Sequence, residues 1–258
     1  MSKAKGLDRR SFMTRGLAVT SAALLGGCDD LSRQPWVKRV LESAETLTRL
    51  TQRALLTPND LAREYSQADL SRVFKANGST NPDDPSYLTH AANGFADWKL
   101  EVGGLVETPL ALSLDELRAM PSRTQITRHD CVEGWSCIGK WKGVKLSTLL
   151  ARAGLKPDAR YIVLHCADSL GPTADDKYYE SIDLADAFHE QTILAYEMND
   201  QTLPIPHGAP LRLRVERQLG YKMAKYVMGI EAVDSFARIR RGQGGYWEDR
   251  GYAWYAGI

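Results

Sequence analysis

The densest group of chemically capable side chains lies in the segment 128–137, which reads RHDCVEGWSC. Cys131 stands beside Arg128 and His129, and positive charge next to a thiol should lower its pKa and favour the thiolate. Thiolates bind soft or high-valent transition metals better than they bind calcium or magnesium. The pattern makes Cys131 a candidate metal ligand, although a lone cysteine is about as often a small buried apolar residue.

Two other uses of the cysteines remain open in the sequence. Cys137 and Cys166 could form a disulfide in an oxidising compartment. No pair of cysteines has the CxxC spacing and no CxxCH occurs, which excludes thioredoxin-type sites and covalently attached c-type haem. A structural zinc site is disfavoured by irregular spacing, but it would draw on His129, Cys131, Cys137, His165 and Cys166.

The whole chain has the composition of an ordinary globular protein. Its 258 residues are 43% hydrophobic and 25% charged, which allows one large domain or two small ones. Because the formal net charge is +1, the overall charge gives no indication of binding to nucleic acid or to an anionic surface.

The first 28 residues predict export. Arg9 and Arg10 precede Ser-Phe-Met and an apolar run at 17–27 that is short for a membrane-spanning helix. This pattern is similar to a twin-arginine signal, the route of proteins that fold before they cross the membrane, and an ordinary secretory signal is the alternative. The run LGGC at 25–28 resembles a bacterial lipobox, so Cys28 is expected to carry lipid and to tether the chain to the membrane.

The elements that must position Cys131 form a mixed pattern. Apolar residues at helical spacing predict a long amphipathic helix over 35–56, and a short helix is expected after Pro58. A turn-rich run at 77–85 cannot be a regular element, and the aromatic tail from Gly242 is expected to fold back over the body. The absence of a regular βαβ rhythm predicts an α+β fold of mixed sheets and short helices. Helices are predicted around Leu117 and at 146–153, and strands at 99–102, 124–128, 160–165, 211–215 and 225–233.

Three motifs in the correct order carry a resemblance to a known family. The run HDCVEGWSCIGKWKG at 129–143 resembles the segment that holds the metal-binding cysteine in the sulfite-oxidase superfamily of molybdenum enzymes. HGAPLR at 207–212 and GYKMAK at 220–225 are similar to two further stretches of the same superfamily. The match is closest to its envelope methionine-sulfoxide reductase branch and spans roughly 77–235.

The resemblance implies a molybdopterin cofactor and assigns residues to it. Cys131 would be the thiolate ligand of molybdenum, and Arg212 would pair with the terminal phosphate of molybdopterin. His207 and Cys166 stand where the branch has Asn and Thr. We expect Arg128, from its charge, to attract anions to the substrate pocket. The remaining residues at cofactor-binding positions are Asn77, Thr80, Asn81, Met223, Ala224 and Lys225.

The expected function is oxygen-atom and two-electron transfer on a small substrate. Sulfoxide reduction is favoured by similarity, and oxidation of sulfite or a related anion is the alternative. A lipid-anchored binding protein without redox chemistry would be a different class. Electrons would pass through a partner, a membrane b-type cytochrome or a cytochrome c, on the periplasmic side of the inner membrane. The expected organisation is a signal at 1–28, a helical linker or strut at 29–75 and a molybdopterin-binding domain at 76–258, without the additional dimerisation domain of sulfite oxidases.

Overall fold

The computed structural model describes residues 34–55, 57, 60–173 and 176–258. The predicted export signal and Cys28 lie outside these residues. Helix α1, Pro35–Leu55, confirms the amphipathic helix expected over 35–56. The chain divides into two units after Thr51, and the second unit, from Gln52 onward, contains both sheets. No described helix is long and apolar enough to cross a membrane.

The first sheet has five strands and forms one wall of the main hydrophobic core. In spatial order it contains Leu110–Ser113 (β2), Lys99–Gly104 (β1), Val227–Val233 (β10), Tyr161–Ser169 (β5) and Lys177–Asp183 (β6). Only β1 and β10 pair in parallel among the described strands of this sheet. Its inward side chains, such as Leu100, Leu164 and Ile230, are almost completely buried.

The second sheet carries the cysteine segment. Ser122–Cys131 (β3), Trp135–Lys145 (β4), Ile193–Met198 (β7) and Gln201–Thr202 (β8) pair in this order, and Arg212–Arg214 (β9) also pairs with β7. All of these pairings are antiparallel. Both arginines of β9 are buried, so the basic face predicted for 211–215 is directed into the protein and not toward solvent.

The described part of the chain has four short α-helices, Pro85–Ala92 (α2), Leu114–Ala119 (α3), Leu146–Ala153 (α4) and Leu184–Ala187 (α5), besides several 3₁₀ turns. The capping box before α3 is confirmed, since Ser113 Oγ accepts from the Glu116 amide at 3.2 Å and Glu116 Oε2 accepts from the Ser113 amide at 2.8 Å. Gly154, with φ +70°, ends α4 as expected. Mixed sheets with few short helices make this an α+β fold.

The helix expected after Pro58 was a wrong prediction for the described residues. Residues 60–66 form no helix, and a short 3₁₀ turn follows at Gln67–Asp69. The chain instead runs beside the open edge of β3, where the Tyr65 amide donates to the Ile126 carbonyl at 2.9 Å and Glu64 pairs with Thr127. Backbone groups of that edge strand gain partners in this way.

The aromatic tail folds back over the body, as predicted. The Tyr246 amide donates to the Tyr179 carbonyl at 3.0 Å. Glu248 and Glu180 both accept from Lys222 Nζ in a fully buried ion cluster, with Glu248 Oε1 at 2.6 Å. Removing one partner of such a cluster leaves a buried charge uncompensated, so the tail is an integral part of the core.

Candidate active site

Strand alternation in β3 decides which side chains of the cysteine segment point inward. His129 and Cys131 lie on the buried side, with exposures of 0% and 8%, and Arg128 lies on the opposite, exposed side. Gly134, at φ +84°, makes the turn into β4, and its amide donates to the Cys131 carbonyl at 3.0 Å. Cys131 is therefore held at the end of its strand by a tight hairpin.

Cys131 lines a cleft with about 680 Å³ of empty volume. Three other residues predicted to bind the cofactor line the same cleft, namely Asn77, Met223 and Lys225. Lys225 Nζ donates to the Asn77 carbonyl at 2.7 Å and to the Pro206 carbonyl at 3.1 Å. The lysine thus fastens the turn-rich loop beside the cysteine. Thr80 and Asn81, from the same loop, are exposed and do not line the cleft.

Arg212 is buried close to this cleft and has no anionic partner in the part of the chain that the structure describes. Its Nη1 donates to the His207 carbonyl at 3.0 Å, while Nε and Nη2 have no hydrogen-bond partner among the described residues. Burial, followed by the charge of Arg214, lowers the pKa of Arg212 to about 9. A buried guanidinium with two free donors is suited to an anionic group. The phosphate end of molybdopterin fits this requirement.

His207 and Gly208 form the rest of this basic pocket. Burial, then the charges of Arg212 and Lys225, lower the pKa of His207 to about 4. Gly208 has φ +109°, and a Cβ there would lie 2.9 Å from the Lys225 side chain. Glycine is therefore required for both backbone conformation and space.

His129 is buried beside Cys131, on the same face of β3. Its Nδ1 accepts from Arg214 Nη1 at 3.1 Å and lies 3.2 Å from the sulfur of Met223. A Cβ at Gly220 would lie 2.4 Å from the His129 ring, so the backbone of the GYKMAK motif is pressed against it. Ala224, the next predicted residue, is buried, and its carbonyl accepts from the Leu213 amide at 2.8 Å.

The pKa of Cys131 is raised, which corrects the expectation from its neighbours. Burial is the main cause and the Glu133 charge adds to it. Arg128 points away and pairs with Asp130 at 2.9 Å. His129 is neutral because burial and Arg214 lower its pKa well below the usual value. Metal binding would itself have to displace the thiol proton.

The position of Arg128 does not fit the predicted anion-attracting role. It lines a different groove, together with Arg63, Tyr65 and Asp130, on the other side of β3. Because side chains alternate between the two faces of β3, Arg128 lies on the face opposite the cleft that contains Cys131.

Cys166 and Cys137 are both free, so the disulfide that the sequence left open is not formed. Cys166 is buried in the main core and does not line the cleft, and burial raises its pKa well above the usual value. Cys137 Sγ lies 3.7 Å from the Val73 carbonyl. Among the described residues, no three Cys, His, Asp or Glu side chains form a group that could hold a metal, so the zinc alternative finds no ligand set.

Sequence reasoning missed Asp168 and the aromatic residues of the tail that line the cleft. Asp168 lies two residues after Cys166, is buried, and leaves Oδ1 without a hydrogen-bond partner among the described residues. Burial raises its pKa, and Lys225 opposes this shift. Asp168 lies within the apolar strand β5, and an acidic residue inside such a strand was a readable signal. Trp247 and Tyr252 gave no sequence signal for this cleft beyond the expected folding back of the tail.

The family model described as "Oxidoreductase molybdopterin binding domain" matches residues 88–238. The chain belongs to this family. The suspected superfamily and the α+β molybdopterin-binding fold are thereby confirmed, and the protein is an oxidoreductase that uses a molybdenum cofactor.

Two relatives with related sequences agree with this assignment. The chain is 39% identical over 252 residues to a "Putative protein-methionine-sulfoxide reductase subunit YedZ1" of Azospira oryzae, covering 96% of this chain and 87% of the relative. It is 31% identical over 235 residues to the "Protein-methionine-sulfoxide reductase catalytic subunit MsrP" of Xanthomonas axonopodis pv. citri, covering 88% and 70%. A solved structure, the sulfane dehydrogenase SoxCD of Paracoccus pantotrophus, matches with a TM-score of 0.49 and 26% identity, over 54% of this chain and 39% of that one.

Proposed function

We propose that this chain reduces sulfoxides, with two electrons and two protons converting a sulfoxide into a thioether and one water molecule. The names of the relatives from Azospira and Xanthomonas support this direction. In the proposal Cys131 Sγ is the protein ligand of molybdenum, and Nε and Nη2 of Arg212 bind the phosphate of molybdopterin. When bound, the cofactor supplies the oxygen-atom and electron transfer. The protein supplies placement and charge.

The charge of the cleft is the observation that favours a neutral sulfoxide over sulfite. Within the described part of the chain, the one cation that lines the cleft is Lys225. Three backbone carbonyls, those of Asn77, Ser79 and Pro206, already accept from its Nζ. The Glu133 carboxylate lines the same cleft, so a doubly charged anion would gain little there.

Asp168 is the residue we expect to hold a proton for the reaction. Its pKa is raised by burial, and Oδ1 has no competing donor or acceptor in the described chain. A carboxyl group that titrates closer to neutral pH can donate a proton to a product oxygen and recover it from solvent.

The cellular setting is also a proposal. The Arg9–Arg10 pair and the LGGC run support export by the twin-arginine route and a lipid tether at Cys28, on the periplasmic side of the inner membrane. Residues 29–75 would link the tether to a cofactor domain at 76–258. A membrane b-type cytochrome or a cytochrome c would supply electrons.

Steady-state kinetics of the cofactor-loaded protein test the reaction. Methionine sulfoxide, dimethyl sulfoxide and methyl p-tolyl sulfoxide are offered with a reduced viologen dye, and sulfite is offered with ferricyanide. We expect turnover with sulfoxides and about one molybdenum per chain. Turnover with sulfite alone would overturn the proposed direction and establish the alternative.

Cys131→Ala tests the metal ligand. We expect a folded chain that has lost its molybdenum-dependent turnover, because no other described side chain of the cleft offers a thiolate. Cys137→Ala is the matched control, since that thiol lies in the same hairpin but does not line the cleft. Wild-type turnover in Cys131→Ala would refute the role.

A further inference from the structure

We propose that the carboxy-terminal segment builds an apolar subsite in the cleft, which takes a bulky hydrocarbon substituent of the sulfoxide substrate. The inference rests on the proposed function and extends it to a substrate class. We call the stacked pair Trp247 and Tyr252 the aromatic wall.

The lining of the cleft falls into two chemically different groups. The polar group contains Lys225, the Asn77 and Ser79 carbonyls that it binds, and the carboxyl groups of Glu133 and Asp168. The aromatic wall lines the same cleft together with the apolar side chains of Val132 and Leu170. Val132 is 48% exposed and Tyr252 is 39% exposed, so this apolar surface is open to a ligand.

Ring packing gives the aromatic wall a defined geometry. The Trp247 and Tyr252 rings stack with centroids 5.2 Å apart and planes 25° apart. Tyr246 meets Trp247 edge-on at 5.2 Å, and Tyr221 meets Tyr252 edge-on at 5.3 Å. Edge-to-face and offset-stacked contacts are the favoured arrangements of aromatic pairs.

Polar contacts hold the aromatic wall in place on both sides. Glu248, next to Trp247, is paired with the buried Lys222 at 2.6 Å. Tyr221 donates its hydroxyl to the Ala253 carbonyl, next to Tyr252, at 2.7 Å. Because these contacts exist before any substrate arrives, little conformational entropy would be lost on binding.

The chemistry of this surface fits an apolar sulfur compound. Val132 directly follows Cys131, so the apolar group adjoins the proposed metal ligand in the chain. Aromatic rings make favourable contacts with sulfur and bury hydrocarbon substituents. The subsite should therefore favour an aryl or long-chain sulfoxide over dimethyl sulfoxide.

The test compares kcat/KM for methyl p-tolyl sulfoxide and dimethyl sulfoxide in the full-length, cofactor-loaded protein. Tyr252→Leu should lower the ratio of the two values about tenfold, mainly through KM for the aryl substrate, as expected when an apolar contact is lost. Trp247→Leu should do the same if it folds, which thermal unfolding checks. Phe236→Leu is the matched control, because it breaks the stacked Phe236–Trp254 pair, which does not line the cleft, and should keep the ratio.

Calorimetry provides a readout that does not depend on turnover. The resting protein should bind the product, methyl p-tolyl sulfide, and Tyr252→Leu should weaken its Kd about tenfold. If Tyr252→Leu changed neither the ratio of the two kcat/KM values nor the Kd, the proposed apolar subsite would be wrong, while sulfoxide reduction would still stand. If the wild type reduced no sulfoxide, the proposed function would fall, and the sulfide Kd would still decide whether the apolar subsite exists.

Discussion

Arg212 and Arg214 stand two residues apart on β9, and both lie against Trp141, with guanidinium carbons 4.9 Å and 4.4 Å from the ring centroid. Arg214 is fully paired. Its Nε and Nη2 donate to the two oxygens of buried Glu216 at 2.8 Å and 2.6 Å, and Nη1 donates to His129. Arg212 donates from Nη1 to a backbone carbonyl and keeps two nitrogens without a partner in the described chain.

This comparison shows that burial alone does not separate a structural residue from a binding residue. Both side chains are inaccessible to solvent, yet only Arg214 has a carboxylate. A buried cation without a counter-ion is costly unless a ligand neutralises it. The two nitrogens of Arg212 that lack partners therefore indicate a pocket for an anionic group. The satisfied hydrogen bonds of Arg214 indicate that its pair with Glu216 is structural.

Arg214→Met should have the largest effect on stability. Glu216 would remain buried without its partner, and loss of one member of a buried pair costs about 3–5 kcal/mol. Urea denaturation of the cofactor-free protein measures the free energy of unfolding. A loss below about 1 kcal/mol would mean that the ion pair is not part of the scaffold.

Arg212→Met should act in the opposite sense on the same cofactor-free protein. It removes an uncompensated buried charge, so the free energy of unfolding should stay equal or rise by about 1 kcal/mol. Cofactor content, measured as molybdenum and pterin per chain, should fall at least about tenfold because the phosphate loses its charged donors. Normal cofactor content in Arg212→Met would mean that Arg212, like Arg214, is not needed to bind the cofactor.

His189 extends the comparison to a fully paired histidine. Its Nε2 contacts the Asp60 carbonyl at 3.0 Å, its Nδ1 accepts from the Gln191 amide at 3.2 Å, and burial lowers its pKa. The unfolded chain takes up a proton at this residue as pH falls through about 6.5, while the folded chain resists it. Stability should then fall by up to about 1.4 kcal/mol per pH unit below that value. Denaturation of His189→Gln from pH 7.5 to 5 should show a correspondingly smaller slope.

Arg128→Ala should have the smallest effect. The side chain is 52% exposed and pairs with Asp130 on the face of β3 away from the cleft. Surface ion pairs contribute about 0–1 kcal/mol. We expect kcat/KM for a sulfoxide to stay within about twofold of the wild type. This is a small change, since a tenfold change would correspond to about 1.4 kcal/mol of free energy. A tenfold loss of kcat/KM would indicate that Arg128 does act in the substrate pocket.

Local signals in the sequence predicted much of the fold. The capping box at Ser113, the glycine after α4 and the helical spacing over 35–56 each carry a mechanism within a few residues, and each prediction is confirmed. Helix α2 was missed although Asp84 caps it and Pro85 begins it, because the surrounding run of turn formers dominated the pattern. The wrong helix after Pro58 had local propensity, but pairing with β3 provides backbone partners that propensity does not count.

The site was harder to predict because it depends on which face of a strand is buried. The sequence places Arg128 three residues from Cys131, and only the pairing of β3 shows that they point in opposite directions. The prediction of a lowered pKa for the Cys131 thiol was wrong for the same reason. Trp247 and Tyr252 reach the cleft through tertiary contacts, which no spacing in the sequence encodes.

The tight approach of Gly220 to His129 has a consequence for variation at these two positions. A methyl group at 220 would overlap the imidazole ring. In a mutant library, a larger residue at 220 should survive selection only beside a smaller residue at 129. A change at 220 should therefore appear only together with a change at 129, although the two sites lie 91 positions apart in the sequence.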